Sequence, residues 1–95
     1  MKMIVAANLF RGTEAVGGKL HFEETAMVFQ SHALNIQTGA TVIPYGEIQR
    51  VMPRNTLGVV PNGISVVIKG GQEYKFVLWN RKEIIPFIKE KANII

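Results

Sequence analysis

The sequence predicts a mainly β fold, an antiparallel barrel or sandwich of seven strands followed by one C-terminal α-helix. Turn-forming residues recur about every ten residues, a spacing typical of small all-β domains. Between these turns apolar residues alternate with polar ones, whereas the C-terminal residues follow a helical period. We therefore expect one domain, residues 1–95, with strands over about residues 3–79 and a helix over about residues 81–93.

The composition fits a single compact unit. The chain has 95 residues, of which 47% are hydrophobic and 19% charged, as in folded domains rather than disordered ones. It has no cysteine, which excludes disulfides and thiol chemistry. Asn8 and Arg11 interrupt the apolar N-terminal run, so we expect a first strand there and not a signal peptide. No segment approaches the ~20 apolar residues of a membrane span. A cytoplasmic location is the expectation, with peripheral attachment to a membrane as the alternative.

The net charge of +4 allows acidic partners such as anionic lipid, nucleic acid or an acidic peptide. The eleven Lys and Arg residues are scattered along the chain and are not clustered with aromatic residues. A nucleic-acid surface favours such clusters, so we expect no nucleic-acid partner. The simpler alternative is a solvated basic surface that keeps the protein soluble.

The clearest hairpin has an acidic turn, Glu23-Glu24-Thr25, at its centre. Leu20 and Phe22 share one face of the strand before the turn, and Met27 and Phe29 share one face of the strand after it. A short connection favours antiparallel neighbours, so these four apolar side chains are expected to meet across the hairpin.

The other elements follow from alternation and from turn residues. Pro44 and Pro53 lack a backbone donor, so they predict a strand end, an edge or a bulge. Pro61-Asn62-Gly63 is a strong hairpin signal. The remaining strands are expected at residues 3–10, 41–43, 48–54, 64–68 and 73–79, with the strand after the acidic turn extending as far as residue 36. The remaining turns are expected at residues 11–14, 17–18, 37–39, 45–47 and 70–71.

The C-terminal helix has a predicted start and one internal conflict. Asn80 is a good N-cap, and Glu83 lies three residues later, as in a capping box. Pro86 would cost about 3 kcal/mol inside a helix, so the helix either begins nearer Ile84 or bends at Pro86. The apolar stripe at helical spacing consists of Ile84, Phe87, Ile88, Ala92 and Ile95.

The sequence contains no recognisable catalytic arrangement. Ser31 and His32 are adjacent strand residues on opposite faces, and the chain has no aspartate to orient the imidazole. His21 and His32 lack a third and fourth metal ligand. The glutamates are dispersed, and no glycine-rich phosphate loop is present. We expect a protein that is not an enzyme and that binds no metal or cofactor; a small β-barrel enzyme is the least favoured alternative.

Four segments together resemble a bacterial GRAM domain, a member of the pleckstrin-homology-like superfamily. In chain order they are EAVGGKLHFEETAMVFQSH, IPYGEIQRV, TLGVVPNG and YKFVLWNRKEIIPFI. The resemblance implies a bent seven-stranded barrel of two near-orthogonal sheets, with one end closed by the C-terminal helix. It also implies intracellular binding of lipid or protein without enzymatic activity. The ligand itself does not follow from the fold.

Two binding hypotheses remain. In phosphoinositide-binding pleckstrin-homology domains, the loop between the first two strands carries several Lys or Arg residues. The matching stretch here, residues 11–18, has one Arg and a Glu, which favours a protein partner or self-association over anionic lipid. If Val51 points inward, an apolar centre with a basic rim faces outward on the last three strands. The expected partner-binding residues are Arg50, Met52, Arg54, Val67, Lys69, Lys75 and Val77; an ordinary sheet exterior is the alternative.

Overall fold

The structure, a computed structural model, describes residues 3–32, 40–56, 58 and 60–94. A short 3-10 turn, Tyr45–Glu47, connects the fourth and fifth strands. The elements in chain order are β1 (Ile4–Arg11), β2 (Glu14–Phe22), β3 (Ala26–Ser31), β4 (Thr41–Pro44), β5 (Ile48–Thr56), β6 (Val60–Ile68), β7 (Glu73–Leu78) and α1 (Arg81–Lys91). The predicted fold class, seven strands and one C-terminal helix, is confirmed.

The strands form one antiparallel sheet in the order β4-β3-β2-β1-β7-β6-β5. β1 pairs with β2 on one side and with β7 on the other, so hydrogen bonding runs continuously through all seven strands. The sheet curls into a half-barrel, consistent with a pleckstrin-homology-like fold. β4 and β5 are its edges, and they contain Pro44 and Pro53, as these prolines predicted.

The core lies on the concave face of the curled sheet. Leu20 is paired with Phe29 and Phe22 with Met27, which confirms the predicted hairpin. All four side chains are at most 1% exposed. The ring of Phe29 lies 6.0 Å from that of Phe76, so the core connects β3 with β7. Full burial of each such side chain contributes about 1.5–3 kcal/mol, which makes this face the main source of stability.

The helix closes the concave face. Ile84 and Ile88 are fully buried, and the ring of Phe87 meets the ring of Phe22 edge to face at 5.4 Å. Three members of the predicted apolar stripe therefore pack on the core, and Ala92 packs beside them. Ile95, the last member, lies outside the described residues.

The predicted start of the helix at residue 81 is confirmed, but the predicted side-chain cap by Asn80 is wrong. The helix begins at Arg81 and includes Pro86, so a start near Ile84 does not occur. Asn80 occupies the N-cap position, but its φ of 64° is left-handed and its side chain makes no capping bond. Its carbonyl accepts the amides of Glu83 and Ile84 instead. The chain must reverse direction between β7 and α1, and Asn tolerates the left-handed geometry that this reversal uses.

Two predicted glycine turns are strand interiors. Gly17 and Gly18 lie within β2, and Pro61-Asn62-Gly63 lies within β6. A Cβ at Gly18 would lie 2.2 Å from the carbonyl oxygen of Gln30, so this glycine permits close approach of β3 and does not form a turn. The β5–β6 connection instead contains Gly58, whose φ is +77°. The predicted turn at Gly70-Gly71 is confirmed by φ values of 104° and 99°.

Some expectations fall on undescribed positions. Residues 33–39 lie outside the described residues, and with them the predicted extension of the third strand and the turn at residues 37–39. Leu57 and Val59 of the TLGVVPNG segment also lie outside them.

Candidate functional site

The outer face is the side of the sheet turned away from the core. On β1 the outward positions are Ala6, Asn8 and Phe10, whereas Ala7 and Leu9 are buried beneath the sheet. The same alternation holds on the neighbouring strands. Because β1 pairs with β7, outward residues from both ends of the chain meet in the middle of this face.

Most predicted partner-binding residues do lie on this face. Val51 is 3% exposed and points into the core, so Arg50 and Met52 point outward, and the Met52 side chain is 40% exposed. Lys69 is exposed just past the end of β6, and Lys75 and Val77 are half-buried on β7. Met52 is paired with Ser65, which is paired with Lys75. Val51 therefore points inward, which is the condition on which the predicted partner-binding face depended.

Val67 does not present a surface, contrary to expectation. It lies outside the main core cluster but is only 5% exposed. Ser65, two residues earlier on the same face, is 3% exposed, and its hydroxyl donates to the carboxylate of Glu73. Glu73 is paired with Val67 across β6 and β7, so its side chain extends along β6. The centre of the predicted partner-binding patch is thus buried and contains an acidic group. Of its three predicted apolar residues, only Met52 and Val77 remain accessible on the outer face.

Arg54 lies across the outer face and is held by two neighbours. Its pairing partner on β6 is Gly63, and a Cβ there would lie 2.8 Å from the Arg54 Cγ. Because Gly63 has no side chain, the arginine can cross β6. Its guanidinium carbon then lies 5.6 Å from the centre of the Phe10 ring on β1. This cation–π contact places the Arg54 charge over the middle of the sheet.

Beside Arg54 the outer face contains a cleft of about 300 Å³. Its floor includes the small residues Ala6 and Gly17. Asn8 on β1 lies between Val77 on β7 and Gly17 on β2, because it is paired with both. A Cβ at Gly17 would lie 3.2 Å from the Asn8 amide oxygen, so any larger residue there would narrow the cleft. The lining residues include Ala6, Asn8, Gly17, His32, Asn62, Val77 and Trp79.

Trp79 forms one wall of this cleft and is 74% exposed. It is the only tryptophan in the sequence. An exposed indole offers a large flat apolar surface with one hydrogen-bond donor, a combination enriched at binding interfaces. No charged side chain lines the cleft within the described part of the chain. The cleft therefore offers an aromatic ring for stacking at Trp79 and polar side chains at Asn8 and His32.

This cleft was not predicted from the sequence. Its walls come from β1, β2 and β7, and only the pairing of Asn8 with Val77 brings these residues together. One signal was present. Tyr74, Phe76 and Leu78 alternate toward the core, so the same period places Val77 and Trp79 on the outer face.

The two histidines are separated on the outer face. His32 lines the cleft, whereas His21 is paired with Ile4 and Val28 at the other end of β2. Among residues 3–32, 40–56, 58 and 60–94, no group of three or more His, Asp or Glu side chains is placed to hold a metal ion.

Tyr45 is a buried polar group that has a structural role. Its hydroxyl donates to the Glu23 carbonyl at 2.9 Å, which ties the 3-10 turn to the β2–β3 turn. Burial, and secondarily the charge of Glu23, raises the pKa of Tyr45 to about 12. The ammonium of Lys91 lies 5.7 Å from its ring centre, so the end of α1 also packs here.

Comparison with known proteins identifies the fold and no family. No protein-family model matches the chain, and no curated protein matches its sequence. The crystal structure of the C-terminal domain of an unknown protein from Leishmania infantum is similar, with a TM-score of 0.79 and 15% identity over 95% of this chain and 81% of that one. Inner Membrane Complex sub-compartment protein 3 from Toxoplasma gondii is also similar, with a TM-score of 0.69 and 9% identity over 93% and 73%. At these identities the likeness concerns the fold alone.

The helix that the structure describes is too short to cross a membrane.

Proposed function

We propose that this chain is a GRAM-like binding module, not an enzyme, which binds a protein partner inside the cell through its outer face. The observation that carries the proposal is Trp79, 74% exposed beside a cleft of about 300 Å³. Leaving an indole in water forgoes roughly 1.5–3 kcal/mol of burial, and tryptophan is enriched among residues that dominate protein interfaces. Met52, at 40% exposed, adds apolar area on the same face.

The geometry of the β1–β2 connection supports protein over lipid. Only Gly12 and Thr13 separate the two strands, and Gly12 has a left-handed φ of 64°. A two-residue turn offers no loop of basic side chains to surround a phosphorylated headgroup. The stretch from Glu14 to Gly18, compared above with such a loop, is part of β2.

The test is capture of interacting proteins by the wild-type chain and by variants, with each retained protein identified and its affinity then measured directly. Trp79→Ser is expected to weaken binding at least tenfold, since an interface tryptophan contributes about 2 kcal/mol or more. Met52→Ser is expected to weaken it less. Val42→Ser is the matched control, because Val42 is 55% exposed but lies on β4, remote from the cleft.

Self-association and lipid binding are separate outcomes of the same experiment. Sedimentation velocity would show a dimer that Trp79→Ser converts to monomer if the partner is a second copy. Anionic vesicles provide the lipid arm. Vesicle binding that Arg50→Glu and Lys75→Glu abolish, that salt weakens and that Trp79→Ser and Met52→Ser leave unchanged would refute a protein interface in favour of lipid.

A further inference from the structure

We infer that the outer face binds a short, extended, acidic segment of a protein partner, with one uncharged aromatic side chain of that segment in the Trp79 cleft and its carboxylates on Arg54 and Lys75. This inference rests on the proposed function and adds the chemistry of the partner. It depends on how the basic residues and the cleft are placed relative to each other.

The cleft and Arg54 lie on one line across the sheet. Arg54, Gly63, Val77, Asn8 and Gly17 are successive pairing partners on β5, β6, β7, β1 and β2. Neighbouring strands are about 4.8 Å apart, so three spacings put the Arg54 backbone about 14 Å from Asn8 along the sheet. The Arg54 guanidinium is nearer, because it lies over Phe10 on the same strand as Asn8. An extended chain advances about 3.3 Å per residue, so about five residues are enough to cover both features.

The charge of this region selects an acidic partner. Arg50, Arg54, Lys69 and Lys75 lie along β5 to β7, and the opposing acidic group is Glu73, whose carboxylate already accepts a hydrogen bond from Ser65. Lys19 adds a further exposed cation on the outer face of β2. Complementary potentials of this kind raise association rates and suppress wrongly charged partners.

Arg54 is prepared for a carboxylate. The missing side chain at Gly63 lets its stem cross β6, and the Phe10 ring holds the guanidinium from below. Within the described residues, no carboxylate pairs with it. A guanidinium fork binds a carboxylate through two parallel hydrogen bonds, and a fork that is already positioned loses less entropy when it does so.

The cleft itself selects an uncharged ring. None of its described lining residues is charged, so a charged group entering it would lose hydration without gaining an ion pair. A ring on the floor formed by Ala6 and Gly17 can stack against the Trp79 indole. Asn8 and His32 then offer hydrogen bonds to the backbone of the bound segment.

The same charges disfavour a second copy of this chain. A twofold contact through this face would set the basic residues of one copy against those of the other. Each chain has a net charge of +4, so the contact would be repulsive at low salt. An acidic segment meets the same surface without that cost.

The test begins with a displayed library of random dodecapeptides selected on the intact protein, followed by synthesis of the recovered peptides. Trp79 is the only tryptophan, so its fluorescence reports occupation of the cleft by peptides that lack tryptophan. The recovered peptides are expected to share one Phe or Tyr with Asp or Glu within about five residues. Replacing their acidic residues by Gln or Asn is expected to weaken binding about tenfold, and replacing the aromatic residue by Ala to remove the Trp79 signal.

Variants of the protein locate the contact. Arg54→Gln is expected to weaken binding about tenfold, and Arg54→Lys, which keeps the charge but loses the fork, about threefold. Lys82→Gln, an exposed cation on α1, is the matched control and is expected to change nothing. If Arg54→Gln lowers the melting temperature, Lys75→Gln replaces it as the test variant and is likewise expected to weaken peptide binding.

The outcomes separate this inference from the proposed function. Peptides that lack acidic residues, bind at Trp79 and bind the Arg54→Gln variant equally well would overturn the inference of an acidic segment. They would leave the proposed protein-binding function of the outer face intact. Recovery of no peptide that depends on Trp79 or Arg54 would overturn the inference. If the native partners captured under the proposed function also bind the Trp79→Ser variant normally, both fail.

Discussion

Two glycines determine how closely neighbouring chain segments approach within this sheet. A Cβ at Gly18 would lie 2.2 Å from the Gln30 carbonyl oxygen and 2.8 Å from the Phe29 ring. A Cβ at Gly63 would lie 2.8 Å from the Arg54 carbonyl oxygen. Neither glycine has a positive φ, so both are required for space and not for backbone conformation. At Gly63 that space also gives Arg54 its path across the outer face.

Gly18→Ala is expected to destabilise the protein by about 2–3 kcal/mol, because the added methyl group must displace the backbone of β3. Gly46→Ala is the matched control, since a Cβ there meets nothing within 4 Å and its φ is not positive. The control is expected to be neutral or slightly stabilising. Urea unfolding measures both, and equal stability of the two variants would contradict the close approach.

Tyr45→Phe is expected to cost about 0.5–1.5 kcal/mol below pH 10, because the hydrogen bond from the hydroxyl to the Glu23 carbonyl is lost. The raised pKa adds a pH dependence whose sign is fixed. Between pH 10 and about 12 the hydroxyl stays protonated in the folded chain and ionises in the unfolded chain, so the wild type loses stability as pH rises. The Phe variant lacks this linkage.

The measurement for Tyr45 is the difference in unfolding free energy between the two proteins at several pH values from 8 to 11.5. The wild-type advantage should be constant up to about pH 9 and should then shrink. An advantage that grew with pH would show that the Tyr45 pKa is lowered by folding.

At the scale of elements, Arg81 joins the start of α1 to the β5–β6 hairpin. Its guanidinium donates to the carbonyl oxygens of Arg54 and Gly63 and to the side-chain oxygen of Asn55. Arg54 and Gly63 are themselves a pair across these two strands. The first residue of the helix therefore stabilises the strand pair that carries the basic side of the outer face.

Arg81→Met, which keeps the aliphatic stem, is expected to lower the free energy of unfolding by about 1–3 kcal/mol, because two backbone carbonyls lose a charged donor. Lys82→Met is the control at the next, exposed position. Hydrogen exchange should also accelerate at the Gly58 amide in the hairpin connection, which donates to Asn55. An unchanged exchange rate at the Gly58 amide would show that Arg81 does not stabilise the β5–β6 hairpin.

At the scale of the whole molecule, β1 and α1 make one cooperative unit from two strand groups. β1 hydrogen-bonds both β2 and β7, and α1 packs on β5 and β6 while Phe87 reaches Phe22 on β2. The outer face is rigid only if both connections hold. The cleft, built from β1, β2 and β7, therefore depends on a helix that it does not touch.

Truncation after Asn80 is expected to leave an unfolded or aggregating chain. Ile84 and Ile88 are fully buried, and removal of either side chain alone costs about 2–5 kcal/mol, comparable to the whole stability of a small domain. Ile84→Ala is the milder variant, with Glu83→Ala at an exposed position as its control. A truncated chain that melts cooperatively near the full-length temperature would show that the helix is dispensable.

The sequence by itself determined the fold class, the β2–β3 hairpin and the buried face of the helix. These features depend on period: Leu20, Phe22 and Phe76 alternate, and Ile84 and Ile88 lie one helical turn apart. The sequence also determined which residues of β5 face outward. Local pattern is sufficient here because each element has one apolar face to bury.

Only the tertiary structure decided what covers each outward residue and which distant residues meet. Val67 is buried beside the hydrogen bond from Ser65 to Glu73, and Gly18 and Gly63 lie in strands at points where a neighbouring segment approaches closely. The Trp79 cleft exists because β1, the first strand, pairs with β7, the last. Periodicity specifies which way a side chain points along its own strand; it does not specify the neighbour across the sheet, which depends on long-range pairing.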